Sequence, residues 1–249
     1  MRYFIVFSYL GKSYHGWQNQ PNAITVQEVL EDSLTKLIGE PIAVTGAGRT
    51  DAGVHAKEMF AHFDFEEELD LTDLVYRLNA FLPEDIATQD IFNVLDDAHA
   101  RFDAYERTYE YWITQKKNPF YKDSAHYVKL PLDLAAMNEA ATLFLEYSDF
   151  ECFSKSNSDV HTYLCNVKKV VWTKEKDKLV FTITADRFLR NMVRAIVGTL
   201  LDVGLGKSNL EDMKQILESK DRSKAGASVP AKGLYLTKIA YPKTILKNE

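Results

Sequence analysis

The order of patterned segments constrains this chain more than any single motif. RYFIVFSY, from Arg2 to Tyr9, is rich in β-branched and aromatic residues and is bounded by Gly11, which predicts a strand. TVQEVLEDSLTKLIG predicts a helix. Thr25 with Glu28 three residues on is a capping-box signature, Val26, Val29, Leu30, Leu34, Leu37 and Ile38 recur at helical spacing, and Gly39 stops the run. A short strand PIAVT, a glycine-rich loop, a strand MFAHFDF, an amphipathic helix near Leu71 to Phe81 and a strand IATQDIFNVL follow. The order is β-α-β-β-α-β, the ferredoxin-like pattern.

Beyond ARFDAYERT the order partly repeats. Strand TYEYWITQ, helix LDLAAMNEAATLFLE, strands VKKVVWTK and KLVFTITA, a long helix from Arg187, a shorter helix NLEDMKQILES and a strand LYLTKIAYP succeed one another. Two α+β halves are expected, an N-terminal domain at 1–105 and a C-terminal domain at 106–249. Both would be mainly antiparallel and flanked by helices, and two such sheets can lie edge to edge as one extended sheet with a central cleft. The duplication rests on element order, since no internal sequence repeat accompanies it.

With 249 residues, 46% of them hydrophobic, the chain can bury a sizeable core. No window approaches eighteen consecutive apolar residues and no cleavage site follows the N-terminal apolar run, so a cytoplasmic protein without a membrane segment is expected. Cys152 and Cys165 lack C-x-x-C spacing and no histidines pair as H-x-x-x-H. A metal is not expected, and both cysteines read as small buried hydrophobes. The net charge of −6 hides an asymmetry: residues 1–100 carry 6 basic against 17 acidic side chains, a balance of −11, and residues 101–249 carry 24 against 19, a balance of +5. A basic second half is compatible with a nucleic-acid surface.

TGAGRTDAGVHAKE, from Thr45 to Glu58, is the segment whose chemistry needs explaining. LGKS occurs at 10–13 and 205–208, but the first glycine of a P-loop is replaced by Val6 and Leu201. GAGRTD begins like a dinucleotide-binding loop, yet Asp51 stands at its third glycine and a strand follows where a helix is needed. What remains is one carboxylate, Asp51, with Arg49 two residues before it and glycines at 46, 48 and 53. These residues also build ordinary turns. Far along the chain, ADRFLRNMVRAIVGTLLDVG reads as a helix with Arg190 and Arg194 on one side. Arg194 lies inside its apolar run, where a guanidinium either meets a carboxylate or snorkels to water.

Five blocks, YHGWQNQPNAITVQEVLE, GAGRTDAGVHA, HARFDAYERTYEYWI, FLRNMVRAIVG and KGLYLTKIAYP, resemble in sequence and order the motifs of the tRNA pseudouridine synthase A (TruA) family. The resemblance implies two ferredoxin-like halves and conversion of uridine to pseudouridine at nucleotides 38, 39 and 40 of the tRNA anticodon stem-loop. It also implies no cofactor, no metal and a homodimer holding tRNA across both subunits. The essential aspartate maps onto Asp51, its cationic partner onto Arg194, and the tyrosine that packs on the uracil onto Tyr109. Arg49 would fill the space left by the flipped base and Leu234 would wall it.

Phosphate contacts are expected mainly on the second half, at Lys168, Lys169 and Arg190, and at Arg101, Arg107, Lys116, Lys117, Arg187, Lys220, Arg222 and Lys224. A carboxylate at this site can attack ribose C1′, act as a base on the ribose or attack uracil C6, and the residues leave these routes open. Two departures from the family pattern stand out: Leu10 replaces an acid in YLG, and the stretch from Ser154 to Val167 has no arginine. The competing readings are an RNA-binding protein without catalysis and a nucleotide-dependent enzyme using the glycine loop.

Overall fold

In chain order the elements are β1 (Arg2–Tyr9), α1 (Val26–Ile38), β2 (Thr45–Gly46), β3 (His55–Asp64), α2 (Leu71–Phe81), β4 (Ile86–Val94), β5 (Glu106–Thr114), β6 (His126–Tyr127), α3 (Leu134–Thr142), β7 (Val167–Glu175), β8 (Lys178–Ala185), α4 (Met192–Gly204), α5 (Leu210–Ser219) and β9 (Leu234–Ala240). This computed structural model describes residues 1–155 and 160–247, so residues 156–159 of the divergent stretch lie outside the described residues. Two units emerge, one of Met1–Arg107 with Tyr235–Glu249 and one of Thr108–Leu234.

In the first unit the strands lie in the order β4-β1-β3, with β2 antiparallel to β3 and β9 parallel to it. That lateral order, with a helix after β1 and another after β3, is the ferredoxin-like arrangement expected from the patterning. Thr25 caps α1 by accepting the Glu28 N–H at 3.3 Å. Gly39, at φ 93, ends the helix in the left-handed conformation. Val26, Leu30 and Leu34 form the buried stripe of α1, and Leu74 and Leu78 form that of α2. Asn79 on α2 bonds both backbone groups of Thr88 at 2.8 Å, tying helix to strand.

β1 is buried almost throughout, because both of its faces are covered. Tyr3 stacks on Phe63 at 5.3 Å. On the other face Phe4 meets His62 at 6.1 Å and makes a T-shaped contact with Tyr241 at 5.3 Å.

His62, only 7% exposed, accepts the Ala100 N–H on Nδ1 at 3.1 Å. Burial, helped by Arg2 and His99, lowers its pKa to about 4. The folded state therefore binds this proton more weakly than the unfolded chain. The associated stability is fully present above about pH 6.5 and is lost as pH falls toward 4, on the order of 2 kcal/mol. Urea unfolding at a series of pH values checks this. His62→Gln, which keeps an acceptor without titrating, is expected to flatten the decline, and an unchanged pH dependence in the variant would assign the decline to other groups.

The second unit repeats the first three strands in the same lateral order, β5-β8-β7, with β6 added parallel to β5. Asn138 on α3 bonds both backbone groups of Trp172 on β7, at 2.7 and 3.0 Å, the same device as Asn79. Met137, Phe144, Phe150, Phe153, Phe181 and nearly the whole of α4 make up the core. The two thiols are buried as expected, and desolvation pushes both up to about 12. Each unit is thus α+β with mainly antiparallel strands.

Two expectations about elements need correcting. PIAVT yields only the two-residue β2. The long helix begins at Met192 and not at Arg187, because Asn191 takes a left-handed φ of 67 and its side chain is held by Ser228 at 2.6 Å. Arg187 and Arg190 therefore precede α4, and the i,i+4 relation drawn between Arg190 and Arg194 does not apply. Among the described residues no helix is long and apolar enough to cross a membrane.

Candidate active site

The Asp51 loop leaves the sheet at Ala47, whose N–H still bonds Phe60 O at 2.8 Å, and rejoins it at His55. Its return is a tight turn: the Val54 N–H bonds Asp51 O at 3.1 Å and Gly53 sits at φ 79, the third position of a type II turn. Of the three glycines in the loop only Gly53 has positive φ, so the expected sharp turning belongs to that one alone.

The segment from Tyr9 to Trp17 forms a seat for this loop. The Trp17 N–H donates to Thr50 O at 3.2 Å, the Gly53 N–H donates to Tyr14 O at 3.4 Å, and Tyr9 Oη shares a hydrogen bond of 2.8 Å with Thr50 Oγ1. Gly16, at φ 95, lets the two backbones touch, since a Cβ there would lie 2.4 Å from Thr50 O. On this seat Asp51 is half-buried and Arg49 exposed. Leu10, the departure from the family pattern, is exposed at the edge of the seat.

His55 is a residue the sequence reasoning passed over. It is buried, accepts the Gly11 N–H on Nδ1 at 3.0 Å and stacks on Tyr235 at 4.7 Å. Its ring is thereby placed in the tautomer with the proton on Nε2. The only available signal was its position, two residues after the turn glycine.

The second unit carries the remaining candidates. Tyr109 on β5 is half-buried, with its ring T-shaped to that of Phe188, 5.1 Å away at 84°. Arg194, half-buried on α4, donates from Nε to Val229 O at 2.7 Å, and its own carbonyl accepts the Val229 N–H at 3.2 Å. The chain from Ala225 to Pro230 crosses α4 so closely that a Cβ on Gly198 would lie 1.8 Å from Ala227 O. Tyr111 is fully buried and donates to Pro230 O at 2.8 Å. Burial pushes its hydroxyl pKa well up, against the pull of Arg194. Leu234 is buried at the start of β9, next to Gly233, where a Cβ would strike the Tyr111 ring. Arg194 and Leu234 are therefore held by one segment, residues 229–234. Arg190 is exposed, and its carbonyl accepts the Lys155 N–H. Lys168 and Lys169 are exposed on β7, where the register shifts between Val167 and Lys169.

Three of the basic residues expected on phosphates have other work. The Arg107 guanidinium donates to the carbonyls of Ala104, Arg101 and Ala47. Arg222 holds the carbonyls of Ala225 and Gly226 and the hydroxyl of Ser228, and Lys220 pairs with Asp149 at 2.6 Å. Among the described residues no three His, Cys, Asp or Glu side chains gather into a set that could hold a metal ion.

Fold and loop together define a class: an α+β protein of ferredoxin-like topology that presents a single carboxylate on a loop braced by the segment from Tyr9 to Trp17. A family model described as tRNA pseudouridine synthase matches residues 5–103 and 140–242. The tRNA pseudouridine synthase A of Parabacteroides distasonis is 51% identical over 249 residues, covering 100% of this chain and 99% of that protein. That of Bacteroides fragilis is 50% identical over 248 residues, 99% and 98% of the two chains. That of Thermoanaerobacter pseudethanolicus is 41% identical over 239 residues, 95% and 98%. The chain belongs to the tRNA pseudouridine synthase family, isomerases that make pseudouridine from uridine in tRNA. Asp51 lies in the first matched stretch and Arg194 and Leu234 in the second, whereas Tyr109 falls between the two.

Proposed function

We propose that this protein isomerises uridine to pseudouridine at nucleotides 38, 39 and 40 of the tRNA anticodon stem-loop, acting in the cytoplasm as a homodimer without cofactor or metal. The observation that carries this reading is the half-buried Asp51, presented on a loop that Tyr9, Tyr14, Gly16 and Trp17 hold in place. In the reaction the bond from ribose C1′ to uracil N1 breaks, the ring turns, C1′ bonds to C5, the C5 proton leaves to solvent and N1 takes up a proton in its place. Asp51 is the catalytic group, whether it attacks C1′, takes a proton from the ribose or attacks C6. Arg194 is the cation that partners this carboxylate in the reaction, its guanidinium oriented by Val229 O. Tyr109 packs on the uracil and takes the C5 proton, Leu234 walls the base, and Arg49 fills the space the flipped nucleotide leaves. Arg190, Lys168 and Lys169 bind phosphates.

Purified protein incubated with tRNA transcripts carrying C5-tritiated uridine tests the reading. Release of tritium is expected from transcripts with uridine at positions 38–40 and none from transcripts with cytidine at all three, and release from both would move the target elsewhere.

Affinity for tRNA is expected to fall steeply with salt. The doubly charge-reversed variant at Lys168 and Lys169 is expected to lower the magnitude of the log–log slope by about 1 to 2. Filter binding across a salt series checks this, and an unchanged slope would remove β7 from the RNA surface.

A further inference from the structure

The turn from His99 to Asp103 in the first unit holds a bare aromatic ring on an unusually stiff mount. Phe102 is 73% exposed. A lone exposed phenylalanine is ordinary on a protein surface. Here, however, the N–H groups from His99 to Asp103 and the carbonyls of His99, Ala100 and Arg101 are all hydrogen-bonded. The Asp103 carboxylate accepts the His99 N–H at 2.6 Å, and the Asp103 N–H returns to His99 O at 3.1 Å. His99 Nδ1 accepts the Arg101 and Phe102 N–H groups at 3.1 and 3.4 Å. Tyr241 donates to Ala100 O, and the Ala100 N–H is taken by His62. His99 backs the Phe102 ring at 4.3 Å, while the Arg101 guanidinium stands 5.5 Å from the ring centre.

Arg107 then connects this mount to the reaction site. Its Nη2 bonds the carbonyls of both Arg101, in the mount, and Ala47, where the Asp51 loop begins, while Nη1 bonds that of Ala104. A rigid aromatic face beside a guanidinium is the standard means by which proteins hold unpaired bases, through stacking and cation–π attraction. The adjoining arginine favours a polyanion over an apolar protein surface as the occupant.

We propose that Phe102, with Arg101 beside it, is a stacking platform for an unpaired nucleobase of the tRNA neighbouring the target uridine, held in register with the Asp51 loop by Arg107. This rests on the reading of the protein as a tRNA-modifying enzyme, and its role is binding and positioning, not bond breaking.

The experiment compares wild type with Phe102→Ala, Phe102→Trp and Arg101→Gln, measuring melting temperature, oligomeric state, Kd for tRNA, and KM and kcat for tritium release. Because Phe102 is exposed, its truncation is expected to leave the melting temperature unchanged. Kd for tRNA is expected to rise about five- to hundredfold in Phe102→Ala, with the loss chiefly in KM, and to return toward wild type in Phe102→Trp. Arg101→Gln is expected to weaken binding less. Added tRNA is expected to quench the emission of Phe102→Trp beyond the change seen in wild type.

Wild-type Kd in Phe102→Ala, emission in Phe102→Trp indifferent to tRNA, or a change of oligomeric state in Phe102→Ala would each overturn the platform while leaving the enzymatic reading intact. The last would make the ring a contact between copies of the chain. Wild type that neither binds tRNA nor releases tritium would overturn both.

Discussion

Asp51→Asn is expected to abolish tritium release from tRNA, with a loss of at least about 10³-fold in kcat, and to leave tRNA affinity within a few-fold of wild type. The substitution keeps the size of the side chain, removes its charge and exchanges one acceptor oxygen for an amide donor. The backbone of residue 51 closes the turn through its carbonyl to the Val54 N–H, a bond that asparagine retains. The backbone bonds to the Tyr9 to Trp17 segment are likewise retained, and a wild-type melting temperature in the variant shows that the loop keeps its place. Attack at C1′, deprotonation of the ribose and attack at C6 all need an ionised acid, so the expectation is common to the three routes. A variant that kept more than about a tenth of the turnover would take Asp51 out of the chemistry, whatever its place in the loop.

The second large effect comes from a residue that no reagent touches. Gly16→Ala is expected to lower kcat by about 10²-fold, because the seat of the loop must yield. A methyl at this position would lie 2.4 Å from Thr50 O, and both partners are backbone, so no side chain can swing aside. Relief comes from displacing Thr50 and with it Asp51, and a misplacement near 1 Å costs about 10²-fold in rate. The φ of 95 adds strain of about 1 to 3 kcal/mol, for a fall of several degrees in melting temperature.

Gly39→Ala provides the control. Gly39 has nearly the same φ, 93, but a Cβ there meets nothing within 4 Å and the residue lies at the end of α1. Its substitution is expected to lower the melting temperature while kcat stays at the wild-type value. Equal losses of kcat in the two variants would mean that general destabilisation, and not loop position, is what Gly16 prevents.

Much of the architecture was legible because it is written locally. The β-branched and aromatic run of β1, the helical spacing from Val26 to Ile38 and the cap at Thr25 are each decided within a few residues, and the structure bears them out. The start of α4 was not legible, because Asn191 leaves helical geometry while bonded to Ser228, 37 positions away. The pairing of β9 with β3 was equally hidden: His55 opposite Tyr235 and Ala56 opposite Leu236 form a parallel ladder between segments some 180 residues apart. Hydrophobic alternation tells a strand which face to bury and says nothing of its neighbour.

The same division runs through the site. The sequence by itself determined the chemical inventory: a lone acid among glycines at Asp51, an arginine in an apolar run at Arg194, tyrosine at 109 and a basic second half. Only the tertiary structure decided which main-chain and ring partners surround the charged and aromatic side chains. Arg107 and Arg222 read as phosphate ligands, yet they hold carbonyls, and His55 went unremarked until Gly11 and Tyr235 closed around it. The physical reason is that a cation's partner is as readily a main-chain carbonyl as a phosphate. Every residue carries that carbonyl, so only the fold determines which one comes within hydrogen-bonding distance.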